Sequence, residues 1–329
     1  MAEGVFQCME VWGGSEAADT GVEMPGVDVW VMSRPFQGDD AGGDVHYVSS
    51  CATGRVTRFL LADVSGHGEA VASVARDLRT LMRRFVNYID QGRFVRELNR
   101  EFNELAEAGC FATAIVATYF NPTGHLTLCN AGHPRPLVFS RETGRWNAID
   151  IGKNSRVAGN LPLGIFAGVE YDEGSLVLAP GDCVLLYTDA LVEAVEAGGI
   201  VAEKRGLAMV GERGLLEMLE GLDPEDLGGL VRGLQERLFA RVGELKDDAT
   251  VLAIRVNAGK QRTSLGDRVI AAGRWVRLWM RGEATNPVPW PEWSVVNIVG
   301  GVIGPVNRWF RPRAGKLPNE QMTKLPNEE

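Results

Sequence analysis

The chain predicts an α/β domain of the α+β kind, two antiparallel sheets with helices packed on their outer faces. Two observations predict it. Short β-rich runs come in clusters, and amphipathic helices in pairs separate those clusters. The composition permits it as well. The 329 residues, 45% apolar and 23% charged, suffice for a sizeable core and argue against a fibrous or wholly disordered chain.

Residues 45–51 and 56–62 read as two strands joined by a short turn containing Thr53-Gly54. Residues 70–89 follow as a helix, because Val71, Val74, Leu78, Leu81, Met82 and Phe85 recur at three-to-four spacing. A second helix covers about 94–107. Four strands come next, at 112–120, 125–130, 136–139 and 145–149. Residues 175–178 and 183–188 flank Ala179-Pro-Gly-Asp, which reads as a hairpin turn. Helices near 207–220 and 224–242 precede a last strand at 250–256.

Charge divides the chain. Overall, 43 acidic residues against 34 basic ones give a formal charge of -9, which argues against a nucleic-acid partner. Residues 1–259 hold 23 basic and 37 acidic residues, whereas 260–313 hold nine basic and three acidic ones and five of the eight tryptophans. The expected organisation is a short lead-in at 1–34, a folded domain at 35–257, a basic Trp-rich amphipathic segment at 258–313 and a disordered tail at 314–329. The tail repeats Lys-Leu-Pro-Asn-Glu from Lys316 and from Lys324.

Within 265–310, Val269, Ala272, Trp275, Val276, Trp279 and Met280 fall on one side of a helix, with Arg274, Arg277 and Arg281 on the other. Trp and Arg around a short apolar stretch suit peripheral contact with a bilayer surface, docking to a partner, or folding back on the chain's own core. The five cysteines form no Cys-x-x-Cys pair, no basic-apolar leader opens the chain, and no run of 18 apolar residues exists. A cytoplasmic location follows, with peripheral attachment at the inner membrane face as its variant.

The carboxylates carry the chemistry. If the first two strands form a hairpin centred between Thr53 and Gly54, facing residues have numbers that sum to 107. Asp44 and Asp63 then face each other, with Cα atoms about 4.5–5.5 Å apart. Two bare carboxylates so placed repel, and a divalent cation between them removes the repulsion. The bland alternative is a pair of turn aspartates capping strand ends. The same logic repeats at Asp189, after strand 183–188, and at Asp247 and Asp248, before strand 250–256. If those strands are antiparallel neighbours, these acids share one sheet edge. Acids at four strand ends suit two metal ions that activate a water for in-line attack on phosphorus.

Seven motifs stand in a fixed order: Gly42-Gly43-Asp44, Ala62-Asp63-Val64-Ser65-Gly66-His67-Gly68, Phe111-Ala112-Thr113-Ala114, Asn130-Ala131-Gly132-His133-Pro134, Leu161-Pro162-Leu163-Gly164, Tyr187-Thr188-Asp189-Ala190 and Asp247-Asp248-Ala249-Thr250. The series resembles the PPM-type metal-dependent serine/threonine phosphatases, the protein phosphatase 2C superfamily. The nearest branch is the bacterial one typified by SpoIIE and by stress-response phosphatases acting on anti-anti-sigma factors. The resemblance covers about 35–257. It implies a four-layer α-β-β-α sandwich, two Mn2+ or Mg2+ ions per active site, and hydrolysis of phosphoserine or phosphothreonine without a covalent intermediate. It also implies a phosphoprotein substrate of the anti-anti-sigma kind and an activating partner on the helices within 70–107.

Carried over by motif, Asp44 and Asp63 match the aspartates that ligate or bridge the metals, Val64 a backbone-carbonyl ligand, Asp189 a third carboxylate, and Asp247 a fourth, ahead of Asp248. These residues would act through a metal-activated water. His67 is a candidate proton donor to the leaving oxygen, or simply an exposed residue at a helix start. His133 suits a structural hydrogen bond, and Arg135 suits phosphate steering. This sequence departs from the branch at Val45-His46-Tyr47, where an aromatic pair and an acid are common, and at Ala190 and Ala249. A second reading is a catalytically weak phosphoprotein-binding regulator tethered through its C-terminal segment.

Overall fold

The computed structural model describes residues 4–5, 11–50, 54–66, 69–85, 88, 90–105, 109–151, 160–201 and 206–258. The chain runs through β1 (Gly4–Val5), β2 (Val11–Glu16), β3 (Ala18–Met24), β4 (Val27–Arg34), β5 (Ala41–Ser50) and β6 (Val56–Val64). Two helices follow, α1 (Glu69–Phe85) and α2 (Gln91–Leu105). Then come β7 (Ala112–Phe120), β8 (His125–Ala131), β9 (Leu137–Ser140), β10 (Arg145–Ala148), β11 (Glu173–Val177) and β12 (Cys183–Tyr187). The short α3 (Ala190–Glu193) leads to β13 (Val195–Val201), β14 (Gly206–Met209), α4 (Gly211–Leu219), α5 (Leu227–Val242) and β15 (Ala249–Val256).

The strands build two large sheets. One has the order β1-β3-β4-β15-β12-β9-β10 and the other β11-β8-β7-β6-β5-β2. Pairing is antiparallel throughout both, apart from the two-residue β1. β13 and β14 form a separate two-stranded ribbon.

Side-chain period explains the layering. Even residues of β6, Leu60, Ala62 and Val64, pack with Leu78, Met82, Phe94, Leu98 and Phe102 of α1 and α2. Odd residues, Phe59 and Leu61, pack with Val29, Val184, Leu252 and Ile254 of the other sheet. The outer face of that second sheet holds Leu185, Val251 and Ala253 against Leu215, Leu230, Val231, Leu234 and Leu238 of α4 and α5. Three cores between four layers make the α-β-β-α sandwich. Asp90 caps α2 by accepting from Arg93 N at 2.6 Å, and Asp226 caps α5 by accepting from Gly229 N at 2.9 Å.

Several expectations change. The stretch 1–34 is not a lead-in: it supplies β2 to one sheet and β3 and β4 to the other. Gly13, Gly14 and Gly21 mask its strand period, and Gly13 and Gly21 are needed for close packing. A Cβ on Gly13 would stand 2.4 Å from the His46 carbonyl oxygen, and one on Gly21 would stand 2.3 Å from the Trp30 ring. The turn at Ala179-Pro-Gly-Asp exists but makes no hairpin, because its two arms belong to different sheets. Leu178 N donates to Gly124 O on one side, while Gly181 N donates to Val256 O on the other. Residues 206–209 are strand rather than helix, since Gly211, at φ 61°, delays the helix start. Among the described residues no helix is long and apolar enough to cross a membrane. The segment 265–310 and the tail lie outside the described residues.

Candidate metal centre

The hairpin of β5 and β6 has the register that places Asp44 opposite Asp63, with every pair from Val45↔Ala62 to Ser50↔Thr57 in step. Both aspartates face the seam between the sheets, since Val48, Phe59 and Leu61 on the same faces fill the inter-sheet core. Asp44 is 2% exposed. Its Oδ2 accepts from Thr188 Oγ1 at 2.9 Å, and its Oδ1 has no protein partner.

The other sheet delivers the second pair. β12 and β15 are antiparallel neighbours, with Tyr187 opposite Val251, so the end of one lies beside the start of the other. Asp189 at the start of α3 and Asp247 and Asp248 before β15 therefore reach the same end of the sandwich. Thr188 ties the sheets together. Its Oγ1 donates to Asp44 and accepts from Thr250 N at 2.9 Å, and Thr250 Oγ1 stands 2.9 Å from Ser33 Oγ.

Asp247 and Asp248 differ in employment. Asp248 accepts from Phe36 N through Oδ1 and from Gly43 N through Oδ2, both at 2.6 Å. Among the described residues Asp247 accepts only its neighbour's amide, from Asp248 N to Oδ1 at 2.9 Å. The glycines before Asp44 make room for these contacts. A Cβ on Gly42 would stand 2.4 Å from the Asp248 carboxylate, and one on Gly43 would stand 2.9 Å from both Val64 O and Val71 Cγ1.

The electrostatics follow from burial and crowding. Burial raises the Asp44 carboxyl well above the ordinary carboxylate range, and Asp63 raises it further. Asp63 is pushed up to about 7, first by burial and then by Asp189, Asp247, Asp248 and Glu193. Asp189 is raised by burial, Glu193 and Asp247. A buried carboxylate oxygen without a partner, set among crowded acids, is a hard-oxygen donor set that suits Mg2+ or Mn2+. Among the described residues, no three such groups yet converge on one point at ligating distance.

His67 lies outside the described residues. His133 is buried, and its Nδ1 stands 2.9 Å from Thr113 Oγ1. Its backbone exchanges two bonds with the Asn130 amide, and burial pushes its imidazole down to about 3. That is structural use. Arg135 lines a cleft of about 360 Å3 beside Asp189, but Glu212 and Asp150 already hold its guanidinium at 2.6–2.8 Å. The sequence reading missed Thr188 and Thr250 as the tie between sheets, and Glu193 as a sixth acid at the rim. The one legible signal was Glu193, four residues after Asp189 and hence on the same helical face.

The family model described as Stage II sporulation protein E (SpoIIE) matches residues 53–257, so Asp63, Asp189, Asp247 and Asp248 lie inside the match and Asp44 just before it. The curated protein phosphoserine phosphatase RsbP of Bacillus subtilis (strain 168) is 27% identical over 140 residues. That match covers 41% of this chain and 33% of RsbP, so the chain spans about a third of the length of this curated relative. Among solved structures, the RsbU and RsbW domains of Rv1364c from Mycobacterium tuberculosis give a TM-score of 0.60 at 24% identity, covering 82% of this chain and 71% of that one. The PP2C phosphatase domain of SpoIIE from Bacillus subtilis, solved with a fragment of its regulatory domain, gives 0.56 at 16% identity, covering 77% of this chain and 64% of that one. These structural likenesses share the four-layer sandwich.

Proposed function

The chain belongs to the SpoIIE family, and from that premise we propose that it is a metal-dependent protein phosphatase hydrolysing phosphoserine or phosphothreonine on a protein substrate. The observation that carries this reading is the register that sets Asp44 opposite Asp63, with Asp63 electrostatically coupled to Asp189 and Asp247 from the other sheet. These four carboxylates and the Val64 carbonyl would hold two Mn2+ or Mg2+ ions, which supply Lewis-acid activation of water and neutralise the phosphoryl oxygens. Thr188 orients Asp44. Asp248 fixes the Gly42-Gly43 backbone and is the weaker candidate ligand. The reaction consumes one water, breaks the phosphorus–oxygen ester bond, and returns a free hydroxyl and phosphate. His67 is the candidate donor of the proton that the leaving oxygen needs.

Phosphate release from p-nitrophenyl phosphate and from a phosphoserine protein, with Mn2+, with Mg2+ and with chelator, tests the reading against Asp189→Asn. Metal-independent turnover, or wild-type turnover in the variant, overturns it.

The substrate fits the anti-anti-sigma class of partner-switching pathways. The name of RsbP as a phosphoserine phosphatase and the presence of an RsbW domain beside the RsbU domain of the mycobacterial protein support this. Activation through α1 and α2 is the matching regulatory reading. Val71 of α1 packs beside both Gly43 and Gly66, so a shift of α1 reaches the backbone next to Asp44 and Asp63. Substitutions at exposed Arg76 that leave partner-stimulated turnover unchanged would count against it.

A further inference from the structure

Of the five large apolar side chains exposed among the described residues, three stand around one strand end: Phe111, Ile165 and Phe166. Exposed apolar groups that cluster mark an interaction surface, whereas single ones do not. Phe111 directly precedes β7, at the end of the sheet where Asp44 and Asp63 stand.

The register fixes the face that Phe111 occupies. Pairing of β6 and β7 sets Asp63 opposite Thr113 and Val64 opposite Ala112. The ladder runs one pair further, since Ser65 N donates to Phe111 O at 2.8 Å and Phe111 N donates to Ser65 Oγ at 3.1 Å. Side chains alternate along a strand. Val64 and Ala112 are buried with the helices, so Phe111 shares the opposite face with Asp63 and Thr113. It stands one same-face step, about 6.6 Å, beyond the row Asp44–Asp63–Thr113. On its other side Ala112 pairs with Leu163, and the residue across from Phe111 is Gly164, which has no side chain to cover the ring.

The loop that carries the other two side chains is firmly held. Buried Asn99 of α2 donates to Phe166 O at 2.7 Å and accepts from Gly164 N at 2.9 Å, and Asn103 donates to Gly164 O at 2.6 Å. Folding fixes this backbone from below yet leaves Ile165 and Phe166 in water.

We infer that Phe111, with Ile165 and Phe166 beside it, receives an apolar side chain of the protein substrate, two residues from the phosphoserine. The inference rests on the phosphatase reading above. A substrate segment lying extended along this face repeats its same-face side chains every second residue, at the same spacing of about 6.6 Å. With the phosphoryl group at the Asp44–Asp63 row, the side chain two residues away comes to Phe111. Continuity with the carboxylate row names the occupant: a chain entering along this face meets Phe111 before it meets the acids. None of the three side chains is charged, so apolar contact makes the selection.

Two synthetic phosphopeptides test this on the full chain with Mn2+. One is Gly-Leu-Gly-pSer-Gly-Leu-Gly, and the other has Asn, of similar shape, in place of both Leu. Phosphate release should give a kcat/KM at least about fivefold higher for the Leu peptide, with the difference mainly in KM. In Phe111→Asn that ratio should fall to about one, while Phe111→Leu, which keeps an apolar side chain, should retain most of it. Phe166→Asn, at a side chain 64% exposed, should lower the ratio part of the way with the melting temperature near that of the parent. Turnover of p-nitrophenyl phosphate by the parent reads the phosphatase reading separately. A parent that hydrolyses this compound but treats the two peptides alike keeps that reading and overturns this one; a parent inert toward all three overturns both. A ratio unaltered in both Asn variants overturns the inference. So does an equal rise on both peptides in Phe111→Asn, which would show the face covered by the chain itself, or a loss of self-association with the ratio unaltered, which would show a second copy there.

Discussion

Replacing Asp63 by Asn should stabilise the metal-free protein while destroying its response to metal. The Asp63 carboxyl titrates near 7 in the fold against an ordinary value of 3.8. An acid whose folded pKa is raised holds its proton more tightly in the native state. Stability is therefore intact below about pH 4, is lost as pH rises through the window between the two values, and stays low above about 7. The whole rise corresponds to about 4 kcal/mol, a ceiling that residual solvent access and sharing with Asp44 reduce to the order of 2–4 kcal/mol. Asn keeps the shape and removes the charge. In chelator at about pH 8, Asp63→Asn should melt roughly 5–10 °C above the parent, at about 2–4 °C per kcal/mol, and the difference should vanish near pH 4. Adding Mn2+ or Mg2+ should reverse the order. The parent gains about 2.7 kcal/mol when the ion exceeds its dissociation constant a hundredfold, and the variant gains little. Differential scanning calorimetry over pH, with and without metal, reads all of this. A variant that melts at or below the parent in chelator at about pH 8 refutes the reasoning, since the crowded carboxylates would then not be the source of the penalty.

Asp247→Asn removes one of the charges that crowd Asp63 and Asp189, so it should raise the metal-free melting temperature at about pH 8 by less than Asp63→Asn does, yet lose most of the metal-induced rise, whereas Asp248→Ala, which frees the amides of Phe36 and Gly43, should cost about 2–4 kcal/mol by denaturant titration. Thr188→Val strips a donor from buried Asp44 and an acceptor from Thr250 N, so a loss of about 2–5 kcal/mol and weaker metal binding are expected by the same titration and by calorimetry. For the basic Trp-rich segment, flotation with anionic liposomes should carry the full chain upward at low salt and release it at high salt; a chain that stays at the bottom of the gradient rules out peripheral membrane contact.

The first pair of acids was legible because a tight hairpin leaves little freedom: the position of one turn sets every cross-strand partner, Asp44↔Asp63 included. The second pair needed only the assumption that β12 and β15 are neighbours, which holds. The hairpin expected around Ala179-Pro-Gly-Asp failed for a reason no local rule contains. Turn residues set the bend, but long-range pairing decides which sheet claims each arm, and here β8 takes one and β15 the other. The strands within 1–34 were hidden because their glycines serve close approach rather than side-chain packing, so the period-two signal is weak there. Thr188 and Thr250 were silent as well, since a threonine at a strand end reads the same whether or not its hydroxyl bridges two sheets.

The way the site is assembled bears on what it can do. The β5–β6 hairpin already sets Asp44 against Asp63, and the penalty grows when the sandwich closes, buries both and brings Asp189 and Asp247 to the same rim. Closure is held on the protein side by the run from Ser33 through Thr250 and Thr188 to Asp44, and by the Asp248 carboxylate on the amides of Phe36 and Gly43. Those bonds fix the backbone and one oxygen of Asp44, and they leave the mutual repulsion of the remaining carboxylates unrelieved. Apolar packing above and below the seam supplies the energy that keeps the rims together. A fold that spends packing energy to hold acids side by side gains most from a ligand that binds all of them at once, because relief of repulsion adds to the coordination itself. That arrangement also makes the site sensitive to small movements. On the regulatory reading proposed above, a shift of α1 against Gly43 and Gly66 would move the backbone beside Asp44 and Asp63, and ligand affinity would change while the sandwich stays intact.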